Sequence, residues 1–402
     1  MSQNPYVKAL KSFDPKTQLI VNEKFNVSAL GAVDTLSDLE PDDFEQEMSE
    51  ESGKEAYSYK TGGAISADIV SLENSLNKTI LLVTNTSGEI YLLTPESNKL
   101  KALVKFKING SISKTPAYAD GVLYCTTKEG AVYAIQTGLK TAQDVRSLKP
   151  QVIWQRRMKK GILTEPQATG KLLIIATLAG IYGFEAYYLD ESQKSIGKPL
   201  WAKGIMGSVV SSPLVHGGLI YLGSEENRLY AFEYGGRKVD LLWSYKSTGG
   251  IRVKPYVSQK TGDVLFGTLD GYVYCLEGKT GKYKWNFVTK SPCLSNIIST
   301  VEGGEELYYF GADDGQFYCV NSQGKKKWEF KAGGKIRTEA LAKNQRIYFG
   351  CSDNRLYALD LTTGKELFNF STDGNIHGKP LVVDDVVILD QLIRSFMEFI
   401  YK

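Results

Sequence analysis

Histidine is almost absent from this sequence, since only His216 and His377 occur among its 402 residues. A Ser-His-Asp triad, a Cys-His pair or a histidine-based metal site would have to use one of these two. Neither has a His, Cys or acidic neighbour at ligand spacing, and no P-loop or EF-hand motif is present. The sequence therefore predicts no catalytic residues, no metal ligands and no bound cofactor.

Long apolar runs and a strong net charge are also missing. No stretch reaches about 18 apolar residues, so no transmembrane helix is expected. The formal net charge of +3 is too small to indicate nucleic-acid binding. The five cysteines form no CxxC pair, and the N-terminus lacks the apolar region of a secretory signal. These absences favour a reducing, cytoplasmic compartment.

Glycine and tyrosine are abundant, with 39 and 24 residues, as is typical of tight turns between aromatic-rich strands. The segments from Trp243 to Trp285 and from Trp328 to Phe368 share one pattern. Each begins with an aromatic residue, which is followed by a Gly-rich turn and by an aliphatic residue that opens a strand. Next come a second strand and an Asp-Gly or Asp-Asn turn. The repeat ends with a strand that has a central tyrosine and with a Thr-Gly turn. The aliphatic residue, which we call the marker, recurs every 40 to 50 residues, at Ile65, Ile112, Ile162, Val209, Ile251, Leu294, Ile336 and Ile376.

All the tryptophans lie in one phase of this repeat, eight or nine residues before a marker. A twisted sheet cannot bury both of its faces alone, so a large aromatic side chain at a fixed place is expected to fill each contact between neighbouring sheets. We expect these seams to contain Trp154, Trp201, Trp243, Trp285 and Trp328.

Repeats of this period with short strands predict an all-β fold, an eight-bladed β-propeller of four-stranded antiparallel blades. The last repeat has sequence for three strands only, so we expect an N-terminal strand within Phe13–Phe25 to close the ring. Residues 1–32 are predicted to donate that strand, residues 33–55 to form an acidic flexible loop, and residues 56–402 to form the propeller. The predicted blades cover residues 57–99, 104–139, 150–190, 199–235, 241–279, 283–322, 326–363 and 366–402.

The repeat W-x-[YF]-x-x-x-G-G-x-I, followed by V-x-F-G-[ST]-x-D-G-x-[VL]-Y-[AC]-L-[DE]-x-x-T-G-K, resembles the pyrroloquinoline-quinone (PQQ)-like propeller repeat over residues 57 to about 390. That family includes exported dehydrogenases that bind PQQ and calcium, scaffolds such as the outer-membrane β-barrel assembly lipoprotein, and accessory domains of adenylate-forming enzymes. The dehydrogenases resemble one another in a vicinal cysteine pair over the cofactor, which this sequence lacks. The resemblance therefore implies the fold without implying the cofactor.

Cations recur just after several markers, where the innermost strands are expected to start beside a central channel. Converging charges at a concave mouth could bind an acidic peptide or a small anion, unless Asp68, Glu165 and Glu339 neutralise them or water fills the channel. The candidate binding residues are Lys114, Arg252, Lys254, Arg337, His377 and Lys379.

The sequence thus favours a non-catalytic protein-binding scaffold over an enzyme. The expected partner is a protein or peptide, and these cations would favour an acidic one. Neither nucleic-acid binding nor membrane insertion is expected, and the chain is expected to act as a monomer or within a hetero-complex. The alternatives are a PQQ-dependent oxidoreductase and a sensor that binds a small anion in the central channel.

Overall fold

The computed structural model describes residues 19–20, 56–73, 77–96, 99–140, 148–186, 197–235, 237–372, 374–383, 386–391 and 395–400. Within these ranges the chain has an all-β propeller fold of antiparallel sheets. It divides into two compact units, called the first and the second unit. The predicted acidic loop at 33–55 lies outside the described residues.

The described residues form 33 strands, numbered in chain order. The first six are β1 (Leu19–Ile20), β2 (Ala56–Lys60), β3 (Val70–Glu73), β4 (Thr79–Thr84), β5 (Glu89–Glu96) and β6 (Lys99–Lys107). The next eight are β7 (Ala117–Ala119), β8 (Val122–Thr126), β9 (Ala131–Gln136), β10 (Gln151–Met158), β11 (Gln167–Thr169), β12 (Leu172–Thr177), β13 (Gly180–Glu185) and β14 (Pro199–Gly204). They are followed by β15 (Leu214–His216), β16 (Leu219–Ser224), β17 (Arg228–Gly235), β18 (Lys238–Lys246), β19 (Tyr256–Val257), β20 (Val264–Gly267), β21 (Tyr272–Leu276) and β22 (Tyr283–Val288).

The remaining strands begin with β23 (Ile298–Glu302), β24 (Glu305–Gly311), β25 (Gln316–Asn321), β26 (Lys326–Lys331), β27 (Leu341–Lys343) and β28 (Arg346–Cys351). The chain continues with β29 (Arg355–Asp360), β30 (Glu366–Ser371), β31 (Leu381–Val383), β32 (Val386–Gln391) and β33 (Ser395–Ile400). The first unit holds the sheets β1-β10-β9-β8-β7, β11-β12-β13-β14, β15-β16-β17-β18 and β19-β20-β21-β22, and the second unit holds β3-β4-β5-β6, β23-β24-β25-β26, β27-β28-β29-β30 and β2-β33-β32-β31. We call the strands of a sheet A to D in repeat order, so that a B–C turn lies within a sheet and a D–A turn connects successive sheets.

The prediction of eight four-stranded blades is wrong. Seven sheets are four-stranded antiparallel blades, but the sheet of β7–β10 has five strands because β1 pairs with the outer edge of β10. The outermost strand of a blade presents a row of backbone N–H and C=O groups that can accept a further strand. At this edge Leu19 lies opposite Met158, and Ile20 lies opposite Arg157.

The prediction that Phe13–Phe25 closes the ring is also wrong. The last sheet receives its fourth strand from β2, which pairs antiparallel with β33, Ala56 lying opposite Phe399 and Lys60 opposite Ser395. The reason lies in the connectivity of the repeat. β2 runs directly into the Gly-rich turn that leads to Ile65, so β2 is the D strand that precedes the first marker, as a D strand precedes every other marker.

A glycine at the end of a B strand receives the marker of the following repeat. A Cβ atom at Gly223, Gly311 or Gly350 would overlap the side chain of Ile251, Ile336 or Ile376, respectively. In the sixth repeat the residue next to the corresponding glycine, Gly267, is Cys293, which is fully buried, whereas Leu294 is only half-buried. The sequence marker Leu294 is therefore off by one residue. With Cys293 in its place every tryptophan precedes its marker by eight residues.

Replacing Gly223 with alanine should destabilise the protein by about 1–3 kcal/mol, because the new methyl group would overlap Ile251 and the core is already closely packed. Gly223 does not have a positive φ, so the effect should be steric and not conformational. The double variant Gly223→Ala/Ile251→Ala has room for the new methyl group, and urea denaturation should give it a smaller loss than the sum of the two single losses. Additive losses would contradict this packing.

The tryptophans lie on D strands, and so the sheets begin one strand later than the repeats defined from the sequence. Trp243 packs against a buried cluster to which two successive sheets contribute, including Tyr221 from one and Phe266 from the next. The C–D turn glycine of the next sheet, Gly281, lies against the Trp243 ring, and Gly364 lies against Trp328 in the same way. Both glycines have positive φ, 70° and 69°, so a side chain is disfavoured there by backbone conformation and by space.

Candidate functional site

The segment after each marker is held by the backbone of the preceding sheet. The N–H groups of Ile251, Cys293 and Ile336 donate to the carbonyl groups of Ser224, Thr268 and Ala312, respectively, at 2.9, 3.1 and 3.2 Å. Successive segments therefore start in the same geometry. The first and third residues after each marker occupy equivalent places, and the candidate residues fall mainly at these two positions.

Arg252 and Arg337, each directly after a marker, form ion pairs with the B–C turn of the preceding sheet. Arg252 contacts Glu225 through Nη2 at 2.6 Å and through Nε at 2.7 Å. Arg337 binds both carboxylate oxygens of Asp313, at 2.7 and 2.6 Å. The two arginine side chains are 51% and 53% exposed, so each pair links neighbouring blades at the surface.

Lys254 and Lys379 lie three residues after their markers and are paired as well. In the first unit the Lys254 Nζ lies 3.4 Å from Glu165 Oε2. In the second unit the Lys379 Nζ lies 2.6 Å from Glu339 Oε1. The carboxylates that the sequence offered as neutralising partners, Glu165 and Glu339, are thus in contact with candidate cations.

Hydrogen bonds from backbone to side chain join this third position in one sheet to the same position in the next. In the first unit Glu165 N–H donates to Ser212 Oγ at 3.0 Å, and Lys254 N–H donates to Asn296 Oδ1 at 3.1 Å. In the second unit Asp68 N–H donates to Thr115 Oγ1 at 3.0 Å, and Lys379 N–H donates to Asp68 Oδ1 at 2.9 Å. The last bond joins residues of the first and last repeats, so it ties the two ends of the described propeller together.

Asp68, which accepts the Lys379 backbone N–H, is a partly buried carboxylate of the second unit. Burial raises the pKa of its carboxyl group above the usual value of 3.8, and the nearby Glu339 charge adds to the rise. The hydrogen bond from the Lys379 backbone and the charge of Lys379 act in the opposite direction. Burial, together with the charge of Arg337, lowers the pKa of the His377 imidazole.

Lys114 is half-buried and, among the described residues, makes no ion pair. The candidates are distributed over both units: Arg252 and Lys254 belong to the first, and Lys114, Arg337, His377 and Lys379 belong to the second. Sequence reasoning missed Glu225, Asp313, Ser212 and Asn296. A comparison of equivalent repeat positions could have found the last two, but the misplaced marker Leu294 concealed Asn296.

The free energy of unfolding of the Asp68→Asn variant, minus that of the unsubstituted protein, should increase as the pH rises from about 3 to 7. The raised pKa of Asp68 means that its favourable contribution is present below the unfolded pKa and is lost as the pH rises through the folded pKa. An asparagine Oδ1 can still accept the Lys379 N–H.

Urea midpoints across this pH range measure the effect. Asp360→Asn is the matched control with opposite sign, because hydrogen bonds from Thr363 lower the pKa of Asp360, so that its contribution is lost as the pH falls. A difference between Asp68→Asn and the unsubstituted protein that does not change with pH would contradict the assignment.

The recurrent tyrosine of the third strand has a structural role at the D–A turn. The Tyr357 hydroxyl donates to Asp353 Oδ2 at 2.6 Å and accepts the Gly333 N–H at 3.3 Å. Tyr91 makes the same two contacts, donating to Glu89 at 2.9 Å and accepting from Gly62 at 3.1 Å. An acidic residue in the B–C turn, Asp353, or directly after it, Glu89, thus supports the neighbouring Gly-rich turn.

The described residues offer little for metal binding or for thiol chemistry. In the described ranges no group of three His, Cys, Asp or Glu side chains is placed to hold a metal ion. All the cysteines are buried and free of disulfides, and burial raises the thiol pKa of Cys125, Cys319 and Cys351. The described residues also include no helix with the length and apolarity of a membrane span.

A family model described as outer membrane protein assembly factor BamB matches residues 141–301 and 314–396. The chain belongs to this family. BamB from Burkholderia pseudomallei (strain K96243) is 24% identical over 310 residues, which are 73% of this chain and 74% of that protein. The β-alanine-activating enzyme of Drosophila melanogaster is 25% identical over 313 residues, 71% of this chain but only 29% of the enzyme. The chain thus spans less than a third of that enzyme.

Solved structures show the same fold. BamB from Moraxella catarrhalis superposes with a TM-score of 0.64 at 16% identity, covering 86% of this chain and 96% of that one. A europium-containing methanol dehydrogenase gives a TM-score of 0.62 at 11% identity, covering 83% of each chain. At these identities an assembly factor and an oxidoreductase are equally good matches to the fold, and the fold alone does not separate their functions.

Proposed function

We propose that the chain is a non-catalytic scaffold that binds a protein or peptide partner. The extent of the match to BamB carries this proposal. The similarity to the Burkholderia pseudomallei protein covers nearly three quarters of both chains, so it includes most of an assembly factor, whereas the similarity to the activating enzyme covers under a third of that enzyme. The shared region is therefore a propeller that can exist without an attached catalytic domain.

The ion pairs at the candidate residues support a role in maintaining the blades more than a role in binding a small anion. An anion at Arg252 or Arg337 would have to compete with Glu225 or Asp313, which already contact the guanidinium groups at 2.6 Å. We also propose that the chain lies in the cytoplasm, because its five cysteines are buried and form no disulfide. Cell fractionation tests that location.

Two measurements test the scaffold proposal. The full chain, immobilised and cross-linked in an extract of its native cells, should retain a defined protein at constant stoichiometry. The purified chain with added PQQ and Ca²⁺ should reduce no artificial dye in the presence of alcohols or aldose sugars. Dye turnover would establish the oxidoreductase alternative, and the failure to retain any protein would overturn the scaffold proposal.

A further inference from the structure

The strand β22 exposes apolar side chains at the outer edge of its sheet. Its first and last residues, Tyr283 and Val288, are 47% and 49% exposed. Its one charged residue is Lys284, whose Nζ lies 2.6 Å from Asp263 Oδ2. The D strand β26, of the same length, carries three lysines and a glutamate. Charges of that kind protect an edge strand from pairing, so β22 lacks the protection that β26 has.

The backbone of this edge can accept a further strand. Among the described strands only β21 pairs with β22. The Thr289 N–H donates inward to the Gly271 carbonyl at 2.9 Å. Because successive residues of an antiparallel strand direct their N–H and C=O groups to opposite sides, the backbone groups of Val288 and Asn286 point outward. An edge of the same kind is already paired in β10, another D strand of the first unit, which carries β1.

Three side chains of β22 lie on the face of the sheet that is turned toward β18. Directly opposite residues of an antiparallel pair share a face, and the partners of these three belong to or pack against the buried cluster between the two sheets. The pairs are Val288 with Tyr272, Asn286 with Tyr274, and Tyr283 with Leu276. From β18, Tyr245 packs against the same cluster. We call the half-buried and exposed members of this set the edge groove: Tyr245, Tyr272, Tyr283, Asn286 and Val288.

Ring contacts make the edge groove continuous. The ring centroids of Tyr245 and Tyr272 each lie 5.9 Å from that of Tyr274, which forms the floor. Tyr272 is in turn opposite Val288. Burial raises the pKa of Tyr245, and the hydroxyls of Tyr274 and Tyr283 add to the rise, so Tyr283 lies near Tyr245 across the groove. The groove thus runs from one wall to the other without a charged side chain among its members.

The fold does not require aromatic or apolar residues at these positions. The sheet β27–β30 has the same register and the same bulge, with polar residues on this face. Its pairs are Ser371 with Arg355, Asn369 with Tyr357, and Glu366 with Leu359. The Arg355 guanidinium donates to Asn369 Oδ1 at 2.7 Å, and the Asn369 amide donates to Glu366 Oε1 at 2.5 Å. Arginine, glutamate and serine therefore fit where the edge groove has tyrosine and valine, and a cluster of exposed apolar side chains marks an interaction site.

The charge of the two walls indicates the character of the ligand. Residues 238–246, which form β18, and residues 282–290, which include β22, contain five lysines and one aspartate. All of these charged side chains are exposed. Lysines beside an apolar groove favour a strand with acidic and apolar residues, and they disfavour pairing with a second copy of the same strand.

We infer that the outer edge of β22 is the docking site for an acidic, extended segment of a partner protein. The segment adds a strand beside β22 and places alternate apolar side chains in the edge groove, because successive side chains of a strand point to opposite faces. This inference rests on the proposed scaffold function, and it names the surface and the chemistry of the partner. Backbone pairing gives the affinity, and the groove and the lysines give the specificity.

The sheet β27–β30 supplies the variant that tests the groove. Tyr283→Glu and Val288→Ser together introduce the residues that Glu366 and Ser371 provide at the equivalent positions, so this edge variant should fold. The matched control is Leu367→Lys, which removes a 48% exposed apolar side chain from β30 and introduces the lysine that β22 has at the equivalent bulge position. Circular dichroism and thermal denaturation verify that both variants fold.

A second pair of variants tests the backbone pairing. Asn286→Pro removes the outward N–H, which an edge strand can lose without breaking its own sheet, and Asn286→Ala keeps it. Both variants lose the same amide side chain, so a difference between them reports the backbone. The same denaturation measurements verify that they fold.

The probe is a fluorescein-labelled peptide of about 10 alternating Val and Glu residues, and its binding to the full chain is measured by fluorescence anisotropy. We expect the edge variant to bind it about tenfold or more weakly than the unsubstituted chain does, and Leu367→Lys to bind it as the unsubstituted chain does. Asn286→Pro should bind about tenfold or more weakly than Asn286→Ala. A peptide of alternating Val and Lys should bind about tenfold or more weakly than the probe.

Each comparison has an outcome that overturns the inference. These outcomes are no binding of the probe to the unsubstituted chain, equal affinity of the edge variant and the unsubstituted chain, equal affinity of Asn286→Pro and Asn286→Ala, and equal affinity for the Val–Lys peptide. Tighter binding of a labelled oligothymidylate than of the probe would assign the tyrosines and lysines to a nucleic acid and would overturn the inference as well.

Three further results separate this inference from the scaffold proposal. If the edge variant retains the cross-linked protein partner as well as the unsubstituted chain does, the scaffold stands and the docking site is wrong. If the unsubstituted chain retains no protein, the scaffold proposal itself fails. If sedimentation shows that the unsubstituted chain dimerises and the edge variant is monomeric, the edge pairs with a second copy of the chain, and the acidic segment is wrong.

Discussion

Replacing Trp201 with alanine should lower the free energy of unfolding by about 3–5 kcal/mol. The Trp201 side chain is 6% exposed and packs in a cluster to which two successive sheets contribute, including Ile174 from one and Val209 and Ile220 from the next. Its removal would leave a cavity at the seam, which neither sheet can fill without changing its twist. The midpoint of urea denaturation, followed by circular dichroism, measures the loss.

Phenylalanine substitutions separate packing from hydrogen bonding at these seams. Trp201 Nε1 is buried without a hydrogen-bond partner among the described residues, whereas Trp243 Nε1 donates to the Gly278 carbonyl at 2.9 Å. Trp201→Phe should therefore lose packing only, and Trp243→Phe should lose in addition about 1 kcal/mol for the hydrogen bond. If alanine at Trp201 costs less than about 1 kcal/mol, the residue does not stabilise the seam.

The periodicity of the sequence was sufficient to predict an all-β propeller, although not the strand content of every sheet, because the same residue types meet the same packing need in each repeat. The marker enters the space above a B-strand glycine, and the tryptophan fills the seam eight residues earlier. Cys293 was not recognised as the marker of its repeat because its side chain is a thiol and the next residue, Leu294, is aliphatic. The position is defined by the space next to Gly267 and not by aliphatic character.

The candidate site could be predicted less completely. The third position after the marker was recognised for its cations, and Glu165 and Glu339 were recognised as possible counter-charges. Their pairing was not predictable, since Glu165 and Lys254 are 89 residues apart and Glu339 and Lys379 are 40 residues apart. Which carboxylate reaches which amine depends on distances across the blades, and a repeat period does not determine those distances.

The mistaken closing strand has the same origin. Phe13–Phe25 resembles a D strand in composition, but a D strand is defined by the turn and the marker that come directly after it. Only β2 leads into the Gly-rich turn and the marker Ile65. Connectivity was therefore a better guide than local similarity.

Deletion of residues 1–60 should destabilise the protein severely, by about 5 kcal/mol or more if each lost backbone hydrogen bond contributes about 1 kcal/mol. The deletion removes β2, all five residues of which pair with β33, and leaves β33 as an open edge. It also removes Tyr59, whose ring packs edge-on against Tyr91 at 5.9 Å and lies against the core of the first repeat. An open edge of this kind promotes association, so size-exclusion chromatography should show aggregation.

Shorter deletions locate the effect. A chain lacking residues 1–32 loses the predicted closing segment and the two-residue strand β1, and a chain lacking residues 1–55 also loses the acidic segment, but both keep β2. Both should keep the oligomeric state of the full chain, with urea midpoints near that of the full chain. A loss of stability that appears already with residues 1–32 would show that Phe13–Phe25 contributes to closure after all. If a synthetic peptide of residues 54–63 restores the stability of the chain that lacks residues 1–60, the interaction removed by the deletion is the pairing with β33.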